Sequence, residues 1–198
     1  MASGIAEELK SAAEAGHLVR LHARSEPGHT CGYVRTVGAE FVLMSVVSDG
    51  IWFDGFNCLR IDDLQALELD PHAAFLDAVL KARAETAPPS PVVDLDSVEG
   101  LLTSASARLP LVIIHTGGAD SDVCYIGRVL SIEGGIVWML EIDADAVWDA
   151  DPTSHRLVDI TRVDFGGDYE DALHLVGGAP SEPVEQRVVP LRLVTSED

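Results

Sequence analysis

The sequence predicts a mainly β protein with short flanking helices, organised as two tandem copies of one five-stranded unit. Three observations carry that expectation. The chain repeats itself at a nearly constant offset, each copy contains runs of alternating apolar and polar residues, and a Pro-rich stretch separates the copies. Leu18–Ala23 reads LVRLHA, and 93 residues later the chain reads LVIIHT; the same offset pairs Cys31 with Cys124 and Arg35 with Arg128. Phe41-Val42-Leu43-Met44 matches Ile136-Val137-Trp138-Met139 at 95, and Arg60 to Leu64 matches Arg156 to Ile160 at 96. Phe75-Leu76-Asp77-Ala78 matches Tyr169-Glu170-Asp171-Ala172 at 94. The small drifts fall where turns are expected, so the pattern reads as an internal duplication.

Each copy opens with an amphipathic helix, residues 4–15 and 96–107, with Ser3 as N-cap of the first and Asp94 or Asp96 of the second. Strands follow in the first copy at residues 17–24, 32–37, 40–47, 50–59 and 64–69, rich in β-branched side chains. Gly38-Ala39 and Glu133-Gly134-Gly135 supply turns between the second and third strands. Asp54-Gly55 marks a bulge or small hairpin in the fourth. Pro71 admits a closing helix at 72–85, and its counterpart spans 168–176 before Gly177-Gly178. The organisation expected is therefore repeat one at 1–85, a linker at 86–95 containing the stiff TAPPSP, repeat two at 96–178 and a tail at 179–198. The tail's VVPLRLV offers an edge strand, since Pro190 removes a ladder donor.

Composition narrows the function classes. The 198 residues carry 33 acidic against 13 basic side chains, a formal net charge of -20. Residues 1–85 hold 13 acids and 7 bases, net -6; the remainder hold 20 and 6, net -14. So few Lys and Arg argue against nonspecific nucleic-acid binding, which works by displacing counterions from phosphate. The same charge disfavours anionic membrane surfaces. No apolar run is long enough to span a bilayer, and Glu7 and Glu8 precede any long apolar core, against a signal peptide. Three cysteines without framework spacing point to reduced thiols and a cytoplasmic location.

The leading helix, the five strands within about seventy residues and the Gly that opens the second strand resemble the Sm-like fold of Sm, LSm and Hfq proteins. Gly32-Tyr33-Val34 through Leu43, Asp54-Gly55-Phe56 and Leu59 to Leu64 are similar to bacterial proteins with an Sm-like core and no assigned function. The resemblance covers almost the whole chain. It implies two tandem SH3-like barrels of five bent strands, with open edges that assemble edge to edge. The RNA-binding members place Asp and Asn in the turn between strands two and three; here those turns read Gly38-Ala39-Glu40 and Glu133-Gly134-Gly135. Their second motif follows a basic residue with Gly. Arg60 and Arg156 stand at the matching basic positions, and the Gly is missing from both copies.

Few residues suggest chemistry. His22 with Cys31, and His115 with Cys124, share one spacing; facing across a hairpin, each pair offers two metal ligands or a thiolate–imidazolium couple, and pooled copies offer four. The plainer reading is packing of small buried Cys and half-buried His. The runs Asp120-Ser121-Asp122 and Asp143, Asp145, Asp149, Asp151 offer oxygen ligands without a Ca²⁺-loop grammar, and read as solvated surface. The remaining histidines, His17, His29, His72, His155 and His174, show no paired spacing. Neither a nucleophile elbow nor a phosphate-cradling loop is present in the sequence. Trp52 with Asp54, and Trp148 with Asp149, read as barrel plugs or as anchors for a partner.

The expectation is a non-enzymatic interaction module without cofactor, binding itself or a basic protein partner through strand edges and Trp-bearing loops. An Sm-like nucleic-acid binder using Arg60 and Arg156, with Arg20, Arg24 and Arg35 on one face, is the first alternative. A metal- or thiol-dependent enzyme centred on the His–Cys pairs is the second.

Overall fold

A computed structural model describes residues 2–117 and 123–180 of the chain. Helix α1 (Ala2–Ala15) leads, so Ser3 lies inside it rather than before it, and its Leu9 and Ala12 enter the core. Strands β1 (Leu18–Ala23), β2 (Thr30–Val37), β3 (Phe41–Val47) and β4 (Phe53–Arg60) follow. A 3-10 turn at Ile61–Asp63 leads into β5 (Leu64–Leu69), and helix α2 (Ala73–Ala82) closes the first copy. The second copy repeats the list with α3 (Val98–Ser106), β6 (Val112–Thr116), β7 (Cys124–Glu133), β8 (Ile136–Glu141) and β9 (Thr153–Arg156). A 3-10 turn at Leu157–Asp159, β10 (Ile160–Phe165) and α4 (Asp168–Gly177) complete it.

The ten strands form one antiparallel sheet in the order β5-β1-β2-β3-β4-β10-β6-β7-β8-β9. Within each copy the order is fifth, first, second, third, fourth, so both copies share one topology. This differs from two closed barrels. The sheet stays open because β4 gives its outer edge to β10 of the other copy, pairing Leu59 with Arg162 and Asn57 with Asp164. In each copy, a 3-10 turn rather than a ladder connects the fourth and fifth strands.

The apolar pattern explains the layers. Strand β3, FVLMSVV, is buried on both faces, which is why it reads as a continuous apolar run. One face of the first copy packs Leu9, Val19, Leu21, Met44 and Leu59 together. On its other side, Leu18 and Val47 meet Leu80 of α2. The second copy does the same with Leu111, Ile142 and Leu173 of α4. The largest cluster crosses the junction: Phe41, Leu43, Phe56 and Cys58 pack with Leu101 and Leu102 of α3 and with Ile114, Val163 and Phe165. Burial of these side chains in one shared cluster joins the two copies.

Local expectations are met or corrected by hydrogen bonds. The bulge expected at Asp54-Gly55 is present, with a shift in the β3–β4 register between Ser45 and Val47. The cap of α3 is Ser97, whose hydroxyl accepts from Gly100 N at 3.0 Å. Asp94 instead accepts from Asp96 N, and Asp96 accepts from Ala39 N. Residues 86–95 carry no regular structure, yet their end is docked. Leu95 is buried, and its carbonyl accepts from Glu40 N and Phe41 N at 3.1 and 2.9 Å. The edge strand expected in the tail lies outside the described residues.

One equivalence between the copies also changes. Gly32 and Gly127 sit at the same place, 95 positions apart, each against the third strand; a Cβ there would overlap Ser45 O or Leu140 O. The second strands therefore superpose at 95, whereas the first strands superpose at 93. A longer β6–β7 connection absorbs the difference. Cys31 thus corresponds to Ile126, and Cys124 to His29.

Candidate functional site

The junction between β4 and β10 holds the densest polar cluster. Strand pairing places Asp164 opposite Asn57 and Arg162 opposite Leu59. Arg162 Nε and Nη2 each donate to Asp164 at 2.7 Å, and Nη1 donates to Glu26 Oε2 at 2.6 Å. His115 Nε2 lies 2.9 Å from Asp164 Oδ2. The Asn57 amide donates to Asp164 Oδ1 at 3.1 Å in the orientation its partners require. Burial opposes the charge on Asp164, but His115 and Arg162 together hold its carboxyl below the usual range.

Arg60 fastens the same junction one step further along. Its Nε and Nη2 donate to Ile160 O at 2.9 and 2.7 Å, its Nη1 pairs with Glu40, and the guanidinium lies 5.0 Å over the Phe41 ring. Arg156, the counterpart in β9, stands at the far end of the sheet with its side chain 67% exposed and Asp159, at 3.6 Å, its one ion-pair partner among the described residues. The two arginines are thus far from equivalent in use: one is engaged inside the protein, the other faces solvent. The other predicted arginines stand on different elements, with Arg24 just after β1, its N–H donating to Asp63 O at 2.9 Å. Arg20 lies in β1 and Arg35 in β2, while Arg60 ends β4.

His and Cys face each other in the ladder of one copy only. His115 and Cys124 are direct partners in the β6–β7 ladder. In the first copy the register pairs Arg20 with Cys31, and His22 turns instead to Gly28 O at 3.1 Å and to the His29 ring at 5.5 Å. Cys31 Sγ lies 3.5 Å from Asp70. Burial first, then Asp70, pushes the Cys31 thiol up to about 12. Burial and Asp164 raise Cys124 as well, and Cys58 is raised by the same two causes. None of these environments favours a thiolate. Among the described residues, no group of three or more His, Cys, Asp or Glu is placed to hold a metal ion.

The tryptophan loops are largely engaged. Trp148 Nε1 donates to Gly177 O and Gly178 O at 3.3 and 3.2 Å, and its ring packs beside Leu173. Asp54 accepts from Asp168 N at 2.8 Å, tying β4 to the start of α4. Trp52 remains exposed and folds over Gly50. Asp149 is exposed, its backbone N–H donating to Glu141 O. Asp143 accepts from Asp145 N and Val147 N, both at 2.9 Å, so it serves its own turn; Asp120, Ser121 and Asp122 lie outside the described residues.

Sequence reasoning missed Glu26, Arg162, Asp164 and Asp70. Arg162 and Asp164 carry a signal in the repeat itself: Arg162 replaces Ala66, and Asp164 keeps the acid of Glu68. A charge gained at one copy's strand centre marks where that copy meets something the other does not. No protein-family model and no curated protein matches this chain. No helix among the described residues is long and apolar enough to cross a membrane.

Proposed function

We propose that the protein is a non-enzymatic interaction module of two Sm-like repeats that binds further copies of itself, edge to edge and head to tail. The observation that carries this reading is the β4–β10 junction. There the fourth strand of one repeat pairs with the fifth strand of the other, and Arg60 locks the start of that fifth strand. Among the described residues, the same two elements are left over at the ends of the sheet, where β9 is a fourth strand and β5 a fifth. An unpaired strand edge is a row of open hydrogen-bonding groups and a template for another strand.

Repeating the internal operation sets β9 of one molecule against β5 of the next. Arg156 then takes the place of Arg60, and Leu64 O the place of Ile160 O, 96 positions earlier. A contact of this kind is heterologous, so it closes into a ring or continues as a filament. The recurrent topology, the 3-10 turn before each fifth strand and the leading helix support the Sm-like reading of each repeat. A basic protein on the acidic surface is the competing partner.

Light scattering after size exclusion tests the proposal. We expect a defined homo-oligomer at micromolar concentration, and dissociation in Arg156→Glu at an unchanged melting temperature. A wild-type protein that stays monomeric throughout would overturn self-association.

A further inference from the structure

Between β1, the β3–β4 turn and the start of α2 lies a cleft of about 420 Å³ that the junction does not involve. Its floor is a fixed ion pair. Asp70, only 2% exposed, accepts from Arg20 Nε at 2.6 Å and from His72 N at 2.7 Å, and the Cys31 thiol lies on the same carboxylate. Asp70 is thereby fully occupied. Arg20 is not: Nε is its one anchored donor, and its Nη1 and Nη2 have no acceptor among the described residues. The carboxylate has oriented a guanidinium and left its outer fork open, the geometry that receives a second carboxylate side by side.

The fold does not require this arrangement. In the second copy Ile113 replaces Arg20, Ile126 replaces Cys31 and Gly166 replaces Asp70, while Ile126 packs beside Leu111, Ile142 and Leu173. The same layer is thus built there from apolar side chains. A buried ion pair is seldom more stabilising than such a replacement, so its presence in one copy points to use rather than to architecture.

The rest of the lining defines what fits. Asp49 is exposed on the same cleft and accepts no hydrogen bond among the described residues. Val47, Ile51, Leu76 and the 61% exposed Phe75 form an apolar wall. A polyanion such as phosphate meets Asp49 and a molecule of net charge -20. A simple cation meets Arg20. We infer that the cleft binds a small zwitterion with an apolar side chain, of the α-amino-acid type. Its carboxylate sits on the Arg20 Nη donors, its ammonium on Asp49 and its side chain on the Phe75 wall. The cleft adjoins the end of β5, since Asp70 follows Leu69, but the inference rests on the cleft's own residues and not on the self-association reading.

Calorimetric titration of the full-length protein with L-leucine, 4-methylpentanoate and 3-methylbutylamine tests it, with backbone NMR shifts to locate the response. We expect leucine to bind, and each analogue, lacking one charged group, to bind at least about tenfold more weakly, the worth of one charge-assisted hydrogen bond. Arg20→Met should abolish binding. Because it also strands Asp70, the surface variant Asp49→Asn provides the second arm: it should weaken leucine about tenfold and leave 4-methylpentanoate unchanged. Absence of binding by any apolar amino acid up to about 10 mM overturns the site. Equal affinity for leucine and 4-methylpentanoate, or an unchanged Asp49→Asn variant, overturns the zwitterion assignment.

Discussion

Replacing Asp164 with Asn tests the buried ion pair of β10 that lies beside the junction of the two repeats. The substitution keeps the shape and removes the charge on which Arg162 and His115 converge. The new amide still accepts from one arginine nitrogen, but its NH₂ turns donors toward donors. Breaking one partner of a buried ion pair costs about 3–5 kcal/mol, because the other charge stays buried. Here Arg162 retains Glu26 at 2.6 Å, so the loss belongs near the lower bound, about 3 kcal/mol. With a urea slope of about 2 kcal/mol/M, the unfolding midpoint should fall by about 1.5 M. The pH dependence has a fixed sign. A carboxyl held below its unfolded value stabilises the fold above about pH 4, and that advantage fades as pH drops through the folded value. Wild type and Asp164→Asn should therefore converge in acid. The triple variant Glu26→Gln/Arg162→Met/Asp164→Leu should recover most of the loss, since it removes the three facing charges together. A midpoint shift below about 0.5 M at pH 7 would refute the claim that this cluster is a stabilising buried ion pair.

Two further outcomes follow from close approaches and from thiol environments. Gly32→Ala and Gly127→Ala each drive a Cβ into a carbonyl of the third strand and should cost about 1–3 kcal/mol by thermal melting. Gly4→Ala, in open space on α1, should stabilise by up to about 1 kcal/mol, and a loss there would undo the contrast. At pH 8 the half-buried Cys31 and the buried Cys58 should label slowly with a disulfide reagent, since burial raises both thiols, Cys31 to about 12, and the exposed Cys124 should label first. Unfolding in urea should release Cys31 and Cys58 together; a second fast thiol in the native state would contradict these environments.

The duplication, the strand-rich grammar and most element boundaries were legible in the sequence because they rest on local causes. Period-2 alternation, turn glycines and a buried apolar run act over a few residues, and the bulge and closing helices fell close to where those signals stand. The cap of α3 shifted from Asp94 or Asp96 to Ser97 because three nearby polar residues compete for the same backbone donors, and only geometry ranks them. The His–Cys pairing failed in the first copy for a related reason. Equal spacing along two chains guarantees equal pairing only if both hairpins share a register, and a connection of different length shifted one strand by two positions. The open sheet, the different uses of Arg60 and Arg156 and the Arg162–Asp164–His115 cluster lay beyond any local reading. Each depends on contacts between residues far apart in sequence, 100 positions for Arg60 with Ile160 and 49 for His115 with Asp164. Sequence alone thus determined what each repeat is made of. Tertiary structure decided which edge was used, because strand edges are chemically alike until side-chain packing and buried charge select one.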